Sequence, residues 1–324
     1  LWLLERAGLT PFARKAQVVV LLLCAYFVAL TLVDSPFLTI YQLFPEVPKT
    51  FLPGDGAGLN PLLLDPWMAL HPGLMFIGYA GLTVPYAVAL VYLYESRRGE
   101  TREAHRAWTS NALFWSRVAW LFLTIGISGG GVWAYKVLGW GGFWAWDPVE
   151  TASYIPWVLL TGAVHALAEH RSDRTKYTIL TPTLFAISFS LVVYATLVTR
   201  SGFFESVHAF SAGKPGFYLV LLAAVATAVP LGMAVAKYLT GGERAEEKPE
   251  EELLSKTNIF YITILLFILL TIIPFWGITF PAITRLATGN KLATGITFFN
   301  LWSYPLFIGL LLLAGFCTNY RPAT

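Results

Sequence analysis

Residues 177–199 read YTILTPTLFAISFSLVVYATLVT, twenty-three consecutive positions without a charged side chain. A helix over that run is about 34 Å long, enough to cross a hydrocarbon core of roughly 30 Å. Similar runs recur at about 16–34, 72–94, 110–128, 151–169, 217–237, 258–280 and 298–317. Lipid offers no partner to a backbone N–H or C=O, so each run must satisfy its own as a helix. The sequence therefore predicts an all-α polytopic membrane protein with about eight transmembrane helices. Composition agrees: the 324 residues are 56% hydrophobic and 13% charged, with a mean hydropathy of +0.62. Soluble domains carry about a quarter charged residues and are excluded. Nothing in the net charge of +3 points to a nucleic-acid partner. Cys24 and Cys317 lie far apart inside apolar runs, so no disulfide framework or CxxC redox pair is available.

Basic residues set the orientation. With the N-terminus in the cytoplasm, the inner segments hold fifteen Lys and Arg and the outer ones six, with Arg117 inside a span. Segment 35–71, the loop near residue 140 and segment 200–216 then fall on the outer face. Segment 238–257, with GGERAEEKPEE at its centre, reads as a charged cytoplasmic tether. Residues 1–324 form a single transmembrane domain.

The outer loop carries the densest chemistry. Residues 140–157, WGGFWAWDPVETASYIPW, hold Trp140, Trp144, Trp146 and Trp157 together with Gly141 and Gly142. An interfacial aromatic belt explains one tryptophan but not this density. Glycines let a backbone approach a flat ligand closely. Pro148 can open a short helix with Asp147 as its N-cap and Glu150 in its first turn. The loop is expected to be a shaped shelf for a large planar ligand. Two histidines flank it in outer segments. His71 lies in NPLLLDPWMALHPG, with Pro72 read as part of a first helical turn, and His208 lies in TRSGFFESVHAF. Two neutral imidazoles are a common axial pair for haem iron. Arg200 precedes His208 on the same side and is either a propionate partner or an interfacial anchor. His165 lies about 21 Å into its span, where an ionisable side chain is costly without a partner. It is a ligand candidate or a histidine bonded to a neighbouring helix. His105 and His170 fall at the cytoplasmic edge and read as surface residues. Arg117 could snorkel, pair with a carboxylate or hold an anion.

Three stretches carry a family resemblance: WGGFWAWDPVETASYIPW, NPLLLDPWMALHPGLMFIGYAG and TRSGFFESVHAF. Together they resemble the Trp-rich "WWD" haem-handling proteins of cytochrome c maturation, whose subfamilies are CcmC, CcsA and CcmF. DPVETASYIPW is similar to the CcmF form DPVENASFMPW, whereas the CcsA form has a Lys after Asp-Pro. GNKLATGITFFN before the last span agrees with CcmF as well, and the likeness runs from about residue 20 onward. Phe143, Ala145 and Thr151 depart locally from the family pattern.

The resemblance implies that His71 and His208 bind the iron of a haem b being processed. It implies a WWD loop at 139–157 whose Trp140, Gly141, Gly142, Trp144, Trp146, Asp147 and Trp157 form the haem platform. It further implies His165 as one ligand of a second, intramembrane b haem. The function implied is that of a haem lyase or a subunit of one. Such a protein holds haem at the outer face of a prokaryotic cytoplasmic membrane and assists its thioether attachment to the CxxCH of apocytochrome c. The partners implied are the haem chaperone CcmE, a CcmH-type presenting protein and apocytochrome c. The alternative is a CcmC- or CcsA-like haem-delivery protein that forms no bond. Earlier family spans with a WGxHEGS-like segment, and the later span with the second intramembrane histidine, are not in this sequence. It is therefore expected to be a fragment or a split subunit of a longer CcmF, with another subunit supplying the missing helices.

Overall fold

The computed structural model describes residues 11–52, 54–55, 58–99, 101–139, 141–206, 208, 215–240, 256–290 and 292–319. Eight long helices dominate them: α1 (Pro11–Val33), α2 (Pro66–Glu95), α3 (Arg102–Val137), α4 (Pro148–Ser172), α5 (Leu180–Arg200), α6 (Gly216–Leu239), α7 (Lys256–Thr288) and α8 (Ile296–Asn319). All eight are long and apolar enough to cross a membrane, so the chain is an all-α multi-pass membrane protein. Most of the charged tether, residues 241–255, and Trp140 fall outside the described residues.

Three helices begin or end where local chemistry dictates rather than where hydropathy fades. α2 starts at Pro66 because the Asp65 carboxylate accepts the Trp67 N–H at 2.9 Å, and Pro at the first helical position has no N–H to orphan. Pro72 therefore lies inside α2 rather than in its first turn, a correction to the sequence reading. α3 runs on to Val137 through Gly129–Gly131, where Gly129 and Gly130 pack against Trp67 and His71 of α2 and Gly131 against Phe143. α4 starts at Pro148, so residues 148–157 are its first turns and the Trp-rich loop proper ends at Asp147. Asp147 caps this helix by accepting the Val149 N–H at 3.0 Å. Glu150 Oε2 reciprocally accepts the backbone N–H groups of Asp147 at 3.3 Å and Ala145 at 3.0 Å.

α2, α4 and α5 are the most buried spans, and α3 packs on α2 along an antiparallel seam of small residues. A Cβ added to Gly81 would lie 3.1 Å from the Ala119 Cβ, one on Gly78 2.7 Å from the Leu123 Cγ, and one on Gly126 2.7 Å from the Met75 Sδ. Bilayer helices gain little from the hydrophobic effect against each other, so close approach through small residues and interhelical hydrogen bonds holds them. Indole and hydroxyl pairs supply the latter. Trp120 Nε1 donates to Thr161 Oγ1 at 3.0 Å and Trp157 Nε1 to Thr124 Oγ1 at 2.8 Å, joining α3 to α4. Ser190 Oγ donates to the Ala226 carbonyl at 2.8 Å, joining α5 to α6.

At one end of the bundle the N-termini of α2 and α4 meet the C-termini of α3 and α5. At the other end His105 and His170, read from sequence as surface residues, are buried at 6% and 0% exposure. Their rings meet edge to face at 4.8 Å beside Trp108, which stacks on Tyr92 at 5.2 Å. The His170 Nδ1–H donates to the Lys176 carbonyl at 2.7 Å, and Lys237 Nζ to the Thr178 carbonyl at 2.9 Å. Aromatic packing and backbone carbonyls thus draw in side chains whose positions in sequence suggested solvent. Arg117, by contrast, is exposed on α3.

Gly81→Leu is expected to wedge α2 from α3 and cost about 1–3 kcal/mol. Thermal unfolding of the detergent-solubilised protein should show a lowered midpoint, while Gly232→Leu, at a position with open space around it, should show little change.

Candidate functional site

A cavity of about 310 Å³ opens at the end of the bundle where α2, α3, α4 and α5 meet. That volume is within the range of small-molecule sites. α2 contributes Met68, His71, Met75, Phe76 and Tyr79 to its walls, and α3 contributes Gly126, Ile127, Gly130 and Gly131. Trp144, Glu150, Ser153, Thr199, Arg200 and His208 complete the lining. Two histidines far apart in sequence, a loop tryptophan and an arginine thus share one chamber.

Each imidazole is held by its Nδ1. His71 Nδ1 lies 2.6 Å from the Trp67 carbonyl, one turn back on α2. A carbonyl can only accept, so Nδ1 carries the proton and Nε2 the lone pair. His208 Nδ1 lies 3.0 Å from the Asp147 carboxylate oxygen Oδ2, which selects the same tautomer. Ser206 Oγ donates to that same oxygen at 2.6 Å. Burial acts to raise the Asp147 pKa, but the bonds from His208 and Ser206 outweigh it and hold the carboxyl below its usual range. Asp147 is therefore anionic at neutral pH. Its contribution is present above the ordinary carboxylate pKa and is lost only as pH falls through the depressed one.

Both rings also rest on one indole. Trp133, 1% exposed, stacks on His71 at 5.6 Å and meets His208 edge to face at 5.2 Å. The two imidazole centroids are accordingly closer together than the sum of those distances. Trp133 is itself fixed by donating Nε1–H to the Leu62 carbonyl at 2.9 Å. Gly130 leaves the space beside His71, where an added Cβ would lie 3.4 Å from the ring Cδ2 and 3.8 Å from Nε2.

The Trp-rich loop divides its duties. Trp144 lines the cavity. Trp146 adopts a positive φ of 58°, a strained backbone for a bulky residue. Its ring points away from the cavity, stacking on Phe299 of α8 at 5.1 Å and donating Nε1–H to Asn300 Oδ1 at 2.8 Å. Trp157 lies three turns into α4, stacked on Trp120 at 6.0 Å, and does not line the cavity. Gly141, with φ of +73°, turns the chain; neither it nor Gly142 borders the chamber. Asp147 reaches the site only through His208. The glycines that floor the cavity are Gly126, Gly130 and Gly131, and with Trp133 they escaped the sequence reading. The run GISGGGVW at 126–133 was the available clue, small residues clustered where a span should be bulky. His165 lies apart from the cavity. Its Nδ1–H donates to the Thr161 carbonyl at 2.7 Å and its ring faces Phe267 of α7 at 5.3 Å.

This is a helical membrane bundle with an apolar terminal chamber and two imidazoles, each oriented through its Nδ1. The chain belongs to the cytochrome c assembly protein family, whose model matches residues 2–204. It is 34% identical over 293 residues to the cytochrome c-type biogenesis protein ccl1 of Rhodobacter capsulatus, covering 89% of this chain and 41% of the relative. To the cytochrome c-type biogenesis protein CcmF of Escherichia coli it is 32% identical over 322 residues, covering 97% and 48%. Among solved structures it is similar to a cytochrome c heme lyase CcmF, with a TM-score of 0.59 and 29% identity over 81% of this chain and 38% of that one. The chain thus spans less than half the length of these relatives.

Trp146→Ala should lower the unfolding midpoint by the loss of a stacked, hydrogen-bonded ring, roughly 3 kcal/mol. Trp144→Ala, facing the chamber, should cost clearly less in the same thermal melt.

Proposed function

We propose that the chain acts in cytochrome c biogenesis, holding haem b as substrate in the terminal chamber while it is joined to apocytochrome c. The observation that carries this reading is the convergence of His71 and His208 on one cavity, each donating from Nδ1 and each in contact with Trp133. The tautomer that donates from Nδ1 offers its Nε2 lone pair to a metal. Met75, Phe76, Tyr79 and Trp144 suit the flat porphyrin faces, and Arg200 suits a propionate. The names of the relatives support the process, and that of the solved structure supports a haem lyase.

In the reaction proposed, a cysteine sulfur of the apocytochrome CxxCH adds to one carbon of a haem vinyl and the thiol hydrogen ends on the other. Thioether formation by this addition needs no external oxidant. The chain's role is to orient the macrocycle and exclude water, so proximity supplies much of the acceleration. The chamber faces the outside of the prokaryotic cytoplasmic membrane, as the charge asymmetry of the loops indicates. Haem arrives from a CcmE-type chaperone, and a CcmH-type protein presents the apocytochrome. A further chain segment or subunit supplies the helices present in the longer relatives. His165 serves a second, intramembrane haem b, completed by a ligand from that additional part.

Three tests follow. Haem-loaded protein should show a Soret band that falls by more than half in His71→Ala and in His208→Ala; unchanged haem content in the double variant would overturn the ligand assignment. Gly130→Val, which crowds His71 Nε2 without altering either histidine, should lower haem content while the protein remains folded by circular dichroism. Finally, Phe143→Cys, at an exposed loop position, in a background lacking Cys24 and Cys317, should react with an impermeant maleimide from outside the cell. Labelling only after permeabilisation would reverse the orientation.

A further inference from the structure

The two imidazoles are not held alike. His71 donates to a neutral backbone carbonyl, that of Trp67, at 2.6 Å. His208 donates to a carboxylate, Asp147 Oδ2, at 3.0 Å. That oxygen also accepts from Ser206 Oγ at 2.6 Å and from the Val149 N–H at 3.0 Å. Asp147 is thus anchored by the first turn of α4 and by the chain carrying His208, and its position is set by the helix rather than by the ligand. A carboxylate drawing on the Nδ1 proton increases electron density at Nε2 and strengthens the bond to a metal; a neutral carbonyl does so less. Among the described residues no carboxylate accepts from His71, whose ring lies between Gly130 and the stacked Trp133.

Resting on the bis-histidine reading above, we propose that Asp147 is a positioning residue that makes His208 the retained ligand of the haem iron and leaves His71 as the exchangeable one. When the haem is handed on, the iron's bond to His71 Nε2 breaks as an incoming nitrogen ligand makes its own. No electron is gained or lost in that exchange. His71 keeps its Nδ1 proton on the Trp67 carbonyl, and His208 stays tethered through Asp147 and Ser206. Asp147, in the Trp-rich stretch, therefore acts on the iron without touching the haem.

Asp147→Asn separates the two duties of this side chain. Asparagine is as good an N-cap as aspartate, so α4 keeps its start while the negative charge is removed. In the haem-loaded full chain, Asp147→Asn should raise the midpoint potential and weaken haem binding roughly 10–100-fold, with circular dichroism and melting midpoint unchanged. His71→Gly and His208→Gly are then titrated with free imidazole and followed by the optical spectrum. On addition of imidazole His71→Gly should regain its haem and the six-coordinate low-spin spectrum, whereas His208→Gly should stay depleted of haem at the same imidazole concentration. Equal haem affinity and equal imidazole rescue in the two glycine variants, or an unchanged potential in Asp147→Asn, would overturn the asymmetry while leaving both histidines as ligands. Unaltered spectra and haem content in both glycine variants would instead overturn the ligand reading itself.

Discussion

The close seam between α2 and α3 is the constraint on which the rest depends. Gly78, Gly81 and Gly126 remove the side chains that would hold the two helices apart, and Leu123, Ala119 and Met75 occupy the space gained. Seating these small residues sets the antiparallel register, and the register then decides what meets at the chamber end of the seam. Gly129 packs on Trp67, Gly130 on His71, and Trp133 comes under the His71 ring. In a bilayer, where apolar surface is no less comfortable against lipid than against another helix, such steric fit and hydrogen bonding do the work that burial does in water. A chamber at the end of the seam is its geometrical outcome, because glycines continue where bulky partners stop.

The polar groups around the chamber follow from the same absence of water. A buried donor or acceptor left unmade is expensive, and the two histidines, Trp133 and Asp147 are each engaged by backbone or a neighbour. His71 uses the carbonyl a turn behind it, and Trp133 uses that of Leu62. Asp147 serves a helix terminus, a serine and a histidine with one oxygen. These bonds fix tautomers, and the tautomers make two histidines into oriented donors with their lone pairs on Nε2. Structural economy and ligand chemistry are here the same set of bonds.

Parts of the site were open to view in the residue order and others were not. His71 and His208 could be singled out because few histidines occur and these two flank an aromatic loop in segments assigned to one face. Asp147 as an N-cap with Glu150 behind it was legible because the capping box is written within four residues. The separation of Trp144 from Trp146 was not, since it turns on a left-handed backbone at Trp146 that no propensity favours. The burial of His105 and His170 was hidden as well: it depends on Tyr92 and Trp108 from α2 and α3 closing over α4, and on Lys237 reaching across from α6.

By itself the sequence determined the class of the molecule, eight apolar helices and the start of α4. These depend on local terms: hydropathy over about twenty residues, the cost of an unpaired amide in lipid, and the fit of Asp-Pro to a helix N-terminus. Only the tertiary structure decided which glycines floor the chamber, which tryptophan faces it and which indole joins the two imidazoles. Those outcomes depend on the register between helices, and register is set by side-chain volumes that are neighbours in space while lying tens of residues apart along the chain.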